Sequence, residues 1–188
     1  MKNFQPATLK SLLWQLSLLF LMIAYAGLPT WFGTRIEVQV RGMDPRDLFR
    51  GNYVALNYDF ENLDEGDFPS HTPEELLQVQ RGNPVYVRME KQQNSLWEST
   101  EAFLKTPESG LFLLGKITST YHSYPTTDPE VREVVVHADF GLNRWFDQKP
   151  KALELERERD HLIAEISVLS GGRSSLSGIR VQSDSSEF

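Results

Sequence analysis

The hydrophobic pattern of the chain consists of one long apolar segment followed by many short, alternating ones. Residues 12–32 read LLWQLSLLFLMIAYAGLPTWF and contain no charged side chain. A helix rises 1.5 Å per residue, so a segment of this length crosses a hydrocarbon core of roughly 30 Å. We therefore expect a transmembrane helix at residues 11–34, with residues 1–10 forming a cytoplasmic N-terminus.

The charges around this segment predict its orientation. Lys2 and Lys10 precede it, and all 26 acidic residues of the chain follow residue 34. Cations before a membrane span favour the cytoplasmic side for the N-terminus. The alternative is a secretory signal cleaved after Ala26, since Ala24 and Ala26 have the spacing of small residues before a cleavage site. Both interpretations place the rest of the chain outside the cytoplasm.

Residues 35–182 have the alternating pattern of a β domain. In residues 35–41, for example, Ile36, Val38 and Val40 share one face of a strand. Short helices are predicted from Pro73, with Thr72 as the N-cap, and over residues 150–159. Further strands are predicted at residues 53–60, 84–89, 111–118, 131–138, 162–168 and 175–181, the last two joined by a turn at residues 170–173.

This spacing predicts a mainly β fold. We expect an antiparallel sandwich or small barrel with one or two short helices, in addition to the N-terminal transmembrane helix. Residues 183–188 are predicted to be a tail.

Composition excludes several kinds of partner and cofactor. After residue 34 the chain carries 26 acids against 17 bases, because two of its 19 bases precede that point. Such a surface repels phosphate backbones, so we expect no nucleic-acid partner. The chain has no cysteine, and its four histidines lack the spacing of a zinc site. We expect no metal, no cofactor and no enzymatic activity. The lack of cysteine also suits a protein of the bacterial envelope.

A dense motif lies between Asp44 and Tyr58, where the chain reads DPRDLFRGNYVALNY. It resembles the signature of the GDYXXLXY family of bacterial proteins. Later segments also resemble that family: RG and VYV at residues 81–87, LLGKI at 113–117, FGLNRWF at 140–146 and GGR at 171–173. The resemblance implies a membrane-anchored protein without an established activity. Asn52 stands where the family signature has Asp, which favours a turn-forming role for this position over catalysis.

The residue types of this motif suit structural and binding roles. Glycine and asparagine favour a turn at residues 51–52, aspartates cap such turns, and arginines bind carboxylates in bidentate fashion. In residues 140–146 the apolar side chains favour core packing, with a docking edge as the alternative. The candidate motif and partner residues are Asp44, Arg46, Asp47, Arg50, Gly51, Asn52, Tyr53, Leu56, Tyr58, Arg144 and Trp145.

These observations favour a single-pass protein of the bacterial inner (plasma) membrane. Its periplasmic domain would bind or assemble with an integral membrane partner. The alternative is an envelope hydrolase that uses Asp44, Asp47 or Asp59, or that is similar to signal peptidase I. The serine nucleophile of that enzyme would fall at Gly42, which has no attacking oxygen. A lipid or small-ligand binder would require an apolar cavity.

Overall fold

The apolar N-terminal segment forms one long helix. The computed structural model describes residues 6–43, 53–123, 133–146 and 162–182. Helix α1 (Pro6–Phe32) contains the expected segment, and its part from Leu9 to Phe32 is long and apolar enough to cross a membrane by length and composition. Its large side chains are exposed, including Trp14, Phe20 and Phe32.

The rest of the described chain is mainly antiparallel β, as the alternation predicts. The first sheet has the order β10-β9-β1-β2-β8, and the second has the order β3-β7-β6-β4-β5. The strands are β1 (Thr34–Met43), β2 (Tyr53–Asn57), β3 (Asn62–Asp64), β4 (Pro84–Lys91), β5 (Trp97–Phe103), β6 (Leu111–Ser123), β7 (Glu133–Asp139), β8 (Arg144–Phe146), β9 (Leu162–Val168) and β10 (Ser174–Val181).

The two sheets share one hydrophobic core. In β1, Ile36, Val38 and Val40 point into it, as expected from their alternation. Strand β1 also contacts β5 of the second sheet, so the strands form a nearly closed, barrel-like structure. The prediction of a small β-sandwich or barrel is therefore confirmed.

The C-terminal hairpin matches the sequence prediction closely. Strands β9 and β10 pair with Val168 opposite Ser174 and Ile166 opposite Leu176, and a bulge follows Leu176. The turn is closed by backbone hydrogen bonds from Leu169 N to Arg173 O (2.9 Å) and from Gly172 N to Leu169 O (2.8 Å). We call residues 169–173 the hairpin tip.

Three local features differ from the sequence prediction. The strand expected to reach Phe60 ends at Asn57, and a one-turn 3-10 helix follows at Asp59–Glu61. Strands β3 and β8 were not predicted, because three residues are too few to show an alternating pattern. Only pairing with a neighbouring strand makes such short segments extended.

One of the two short helices lies within the described residues. Helix α2 (Pro73–Leu77) begins as predicted, because the Thr72 hydroxyl accepts a hydrogen bond from Glu75 N at 3.3 Å. The Glu75 carboxylate accepts one from Thr72 N at 3.1 Å, which completes a capping box. The helix predicted over residues 150–159 lies outside the described part of the chain.

The long helix is joined to the β domain without a linker. Only Gly33 separates α1 from β1, and a Cβ atom there would lie 2.8 Å from Val168 N and against Pro29 O. Because Thr34 pairs with Val168, the hairpin tip lies beside the last turns of α1. There the Arg173 guanidinium stacks over the Tyr25 ring, 3.9 Å from its centroid. These contacts, which we call the anchor junction, fix the helix to the domain.

Candidate functional site

The structure brings two sequence-predicted clusters together in adjacent strands. Strand β2 carries the end of the signature motif and pairs with β8, so that Tyr53 lies opposite Phe146 and Ala55 lies opposite Arg144. Leu56 N also donates a hydrogen bond to Asn143 O at 3.0 Å. Six candidate residues of the motif lie outside the described part of the chain: Asp44, Arg46, Asp47, Arg50, Gly51 and Asn52.

Tyr58 holds the signature segment in the core. Its side chain is completely buried, and its hydroxyl donates a hydrogen bond to the backbone oxygen of Leu142 at 3.2 Å. Its ring stacks on Phe60 with centroids 4.9 Å apart, and Phe60 meets Phe140 edge-on at 5.1 Å. Burial raises the pKa of the Tyr58 phenol, and the nearby Glu61 carboxylate adds to this. Tyr58 therefore stays protonated and acts as a structural residue.

Replacing Tyr58 with phenylalanine should lower the free energy of unfolding by about 1–2 kcal/mol, because the buried Leu142 carbonyl loses its donor. Thermal unfolding of the full chain in detergent, followed by circular dichroism, would measure this. The control is Tyr121→Phe, since Tyr121 is 47 % exposed. Equal melting temperatures for the two variants would show that the Tyr58 hydroxyl does not stabilise the fold.

The segment between β7 and β8 contributes mainly to the core. Phe140 and Leu142 are buried, and Trp145 is half-buried against the same core. Core packing was the favoured interpretation of these apolar residues. Arg144 is exposed on β8, beside β2.

A buried carboxylate, Glu61, was missed by the sequence interpretation. Its side chain is only 6 % exposed, and it accepts a long hydrogen bond of 3.4 Å from Tyr58 N. Burial raises the pKa of Glu61 to about 7, the Tyr58 N–H partly opposes this, and the negative charge of Asp139 raises the pKa further. Glu61 stands among other acidic residues, namely Asp59, Asp64 and Glu65, so nothing in the local sequence distinguishes it.

The carboxylates proposed for a hydrolase are not brought together within the described residues. Asp59 is exposed on the 3-10 turn, while Asp44 and Asp47 lie outside the described residues. Nor does any group of three or more His, Asp or Glu side chains that could hold a metal ion occur in the part of the chain that the structure describes.

A groove of about 570 Å³ lies between the hairpin tip and the second sheet. Its polar lining comes from Lys116, Asp139, Arg173 and Ser174, and its apolar lining includes Tyr86 and Phe140. The hairpin tip is fixed to this sheet, because Leu114 N donates a hydrogen bond to Gly172 O at 2.8 Å. We call this the junction groove, because Arg173 belongs both to its wall and to the anchor junction.

Strand pairing places two oppositely charged residues side by side in the junction groove. Lys116 of β6 lies directly opposite Asp139 of β7, and one Asp139 carboxylate oxygen accepts a hydrogen bond from Gly141 N at 2.8 Å. The Ser174 hydroxyl is buried and has no hydrogen-bond partner among the described residues. The groove thus presents two cations, Lys116 and Arg173, and one anion, Asp139.

A second groove of about 510 Å³ lies at the end of β5. It is lined by His71, Arg88 and the loop from Lys105 to Ser109. Arg88 is engaged there by Glu101 at 2.8 Å and lies over the Phe103 ring. None of the candidate residues that the structure describes lines this groove.

The fold defines a class of protein: a nearly closed β domain joined through a single residue, Gly33, to an N-terminal helix that is long and apolar enough to span a membrane. The chain belongs to the GDYXXLXY protein family, whose model matches residues 15–179. The match includes most of the helix as well as the β domain. No curated protein and no solved structure matches the chain.

Proposed function

We propose that this protein is a single-pass protein of the bacterial inner membrane, whose extracytoplasmic β domain binds or assembles with an integral membrane partner. The observation that carries the proposal is the anchor junction. Only Gly33 lies between α1 and β1, so a membrane-embedded α1 holds the domain directly at the membrane surface, where it can act on a membrane-embedded protein. A domain that worked in free solution would not need helix and hairpin to be packed together.

The anchor junction also supports an uncleaved helix. A signal cleaved after Ala26 would be lost up to that residue, and Tyr25 with it. Tyr25 contacts Arg173 of the folded domain, and Pro29 beyond the cleavage position is buried. The folded protein thus has contacts on both sides of the peptide bond after Ala26, which favours a helix that remains part of the mature protein. Lys2 and Lys10 before the helix favour a cytoplasmic N-terminus.

Arg173 indicates where the outer membrane boundary falls along α1. A guanidinium is costly to place in hydrocarbon, so the membrane core must end near Tyr25. Residues 6–24 then span about 28 Å at 1.5 Å per residue, which fits the hydrocarbon thickness. This span begins nearer the N-terminus than residues 11–34, the segment expected from the sequence. Lys10 reaches the cytoplasmic interface by extending its side chain. Trp31 and Phe32, both exposed, lie at headgroup level, as interfacial aromatics do.

This placement puts Gln15 at the middle of the membrane. Its side chain is exposed on the helix, and an amide in hydrocarbon is unfavourable unless it is hydrogen-bonded. A polar group from a neighbouring transmembrane helix would satisfy it. Ser17, by contrast, already donates to Leu13 O in its own helix at 2.9 Å. Gln15 is therefore the position in α1 at which we expect a membrane partner to bind.

Gln15→Leu should reduce recovery of the partner about 3- to 30-fold in co-purification from mild detergent, since an interhelical hydrogen bond contributes about 0.6–2 kcal/mol. Quantitative mass spectrometry of the co-purified membrane proteins would measure this. Ser17→Ala is the matched control and should leave recovery unchanged. A chain that elutes as a lone monomer under all gentle conditions would contradict the proposed function.

A further inference from the structure

We propose that the junction groove binds the phosphoethanolamine headgroup of a membrane phospholipid. The inference rests on the proposed anchoring of α1 in a membrane. Under that anchoring Arg173 lies at the membrane boundary, since its guanidinium contacts Tyr25 near the end of the hydrocarbon span. Arg173 is also a wall of the junction groove. The groove therefore opens at the level of the lipid headgroups.

The cations of the junction groove fit a phosphodiester. Arg173 and Lys116 approach it from different sheets, and an arginine guanidinium binds phosphate oxygens in bidentate fashion.

The acid in the junction groove selects among phospholipids. Asp139 lies opposite Lys116 across the β6–β7 pair, so a purely anionic headgroup would meet repulsion beside its phosphate. A headgroup that carries an ammonium as well as a phosphate complements both charges. The primary ammonium of phosphoethanolamine also donates hydrogen bonds to a carboxylate, which a quaternary ammonium cannot do. Tyr86 and Phe140 would contact the apolar part of the lipid next to the headgroup.

The proposal predicts selective lipid retention by the full chain. The protein would be transferred into detergent micelles that contain equal amounts of phosphatidylethanolamine, phosphatidylglycerol and diacylglycerol. Native mass spectrometry would then count the lipids that stay bound to it. We expect one phosphatidylethanolamine to be retained at least about tenfold over diacylglycerol. Lys116→Gln should lower this preference about tenfold, because it removes one of two phosphate-binding cations. Lys116 is exposed and takes no part in the anchor junction, so this variant should fold.

The matched control is Arg180→Gln, which removes a cation from strand β10 outside the groove, where Arg180 pairs with Glu37 at 2.8 Å. It should retain lipid like the wild type. Equal retention of diacylglycerol, preference for phosphatidylglycerol, or an unchanged preference in Lys116→Gln would overturn the proposal. The proposal would also be overturned if a photoreactive residue that replaces Tyr86 crosslinked in membranes only to protein and not to lipid. Carbonate extraction of membranes separates the two ideas: a chain that stays in the membrane without lipid preference refutes only the lipid site, whereas an extracted chain refutes the anchoring.

Discussion

Gly172→Ala is expected to lower the free energy of unfolding by about 3 kcal/mol, combining the strain of positive φ with the cost of overpacking. Gly172 has φ +82°, a conformation that side-chain-bearing residues rarely adopt. A Cβ atom there would also lie 2.7 Å from the Phe112 ring and 3.1 Å from the Leu114 Cβ. The hairpin tip is bonded to β6 through Gly172 O, so it cannot move aside without losing that bond.

This loss corresponds to a decrease in melting temperature of roughly 6–12 °C for a domain of this size. Thermal unfolding of the full chain in detergent would measure it. The adjacent Gly171 provides a matched control, since a Cβ atom there meets no atom within 4 Å. Gly171→Ala should melt within about 2 °C of the wild type. A similar melting temperature for the two variants would mean that the hairpin tip is not packed against β6 as the structure shows.

Glu61→Gln is expected to stabilise the protein increasingly as the pH rises. Glu61 has a raised pKa of about 7 in the folded protein, against an ordinary value of 4.5. Between these values the folded state keeps a proton that the unfolded state has released, so stability falls as the pH increases through this range. Above pH 7 the ionised, buried Glu61 costs the wild type about 3 kcal/mol, at 1.36 kcal/mol for each pKa unit. Glutamine does not titrate and avoids this cost.

The melting temperature of Glu61→Gln relative to the wild type should therefore increase by roughly 5–10 °C between pH 5 and pH 8. The comparison of two pH values removes any constant effect of the substitution on packing. Glu98→Gln, at an exposed position of β5, serves as the control for the general effect of replacing a glutamate with glutamine. A constant difference for Glu61→Gln would show that the carboxyl group is ionised throughout this range.

Much of the fold could be predicted because its elements have strong local patterns. The alternation in β1 indicates a half-buried strand, and the Gly-Gly pair of the last hairpin indicates a turn. Neither prediction requires the rest of the chain. The cap at Thr72 is equally local, since its hydrogen-bond partners lie three residues away. Short strands such as β3 and β8 have no such pattern, so their conformation depends on the neighbours they pair with.

The candidate site was predictable only in part. The signature motif and the segment around Arg144 were both recognised in the sequence, but their pairing as β2 and β8 joins residues about ninety positions apart. The hydrogen bond between Tyr58 and Leu142 spans a similar separation. Long-range contacts of this kind cannot be predicted from the sequence of either segment alone. The signature residues Asp44–Asn52, which carried most of the partner predictions, lie outside the described part of the chain.

The sequence by itself determined the long apolar helix, the mainly β domain after it and the family. Each of these depends on residue type and spacing along the chain, which hydrophobic burial and backbone geometry translate directly into structure. The tertiary structure alone decided that Glu61 is buried, that Arg173 contacts Tyr25, and that Lys116, Asp139 and Ser174 share a groove. Solvent exclusion and charge proximity arise only when distant segments pack together, and they set both the pKa of Glu61 and the chemistry of the junction groove.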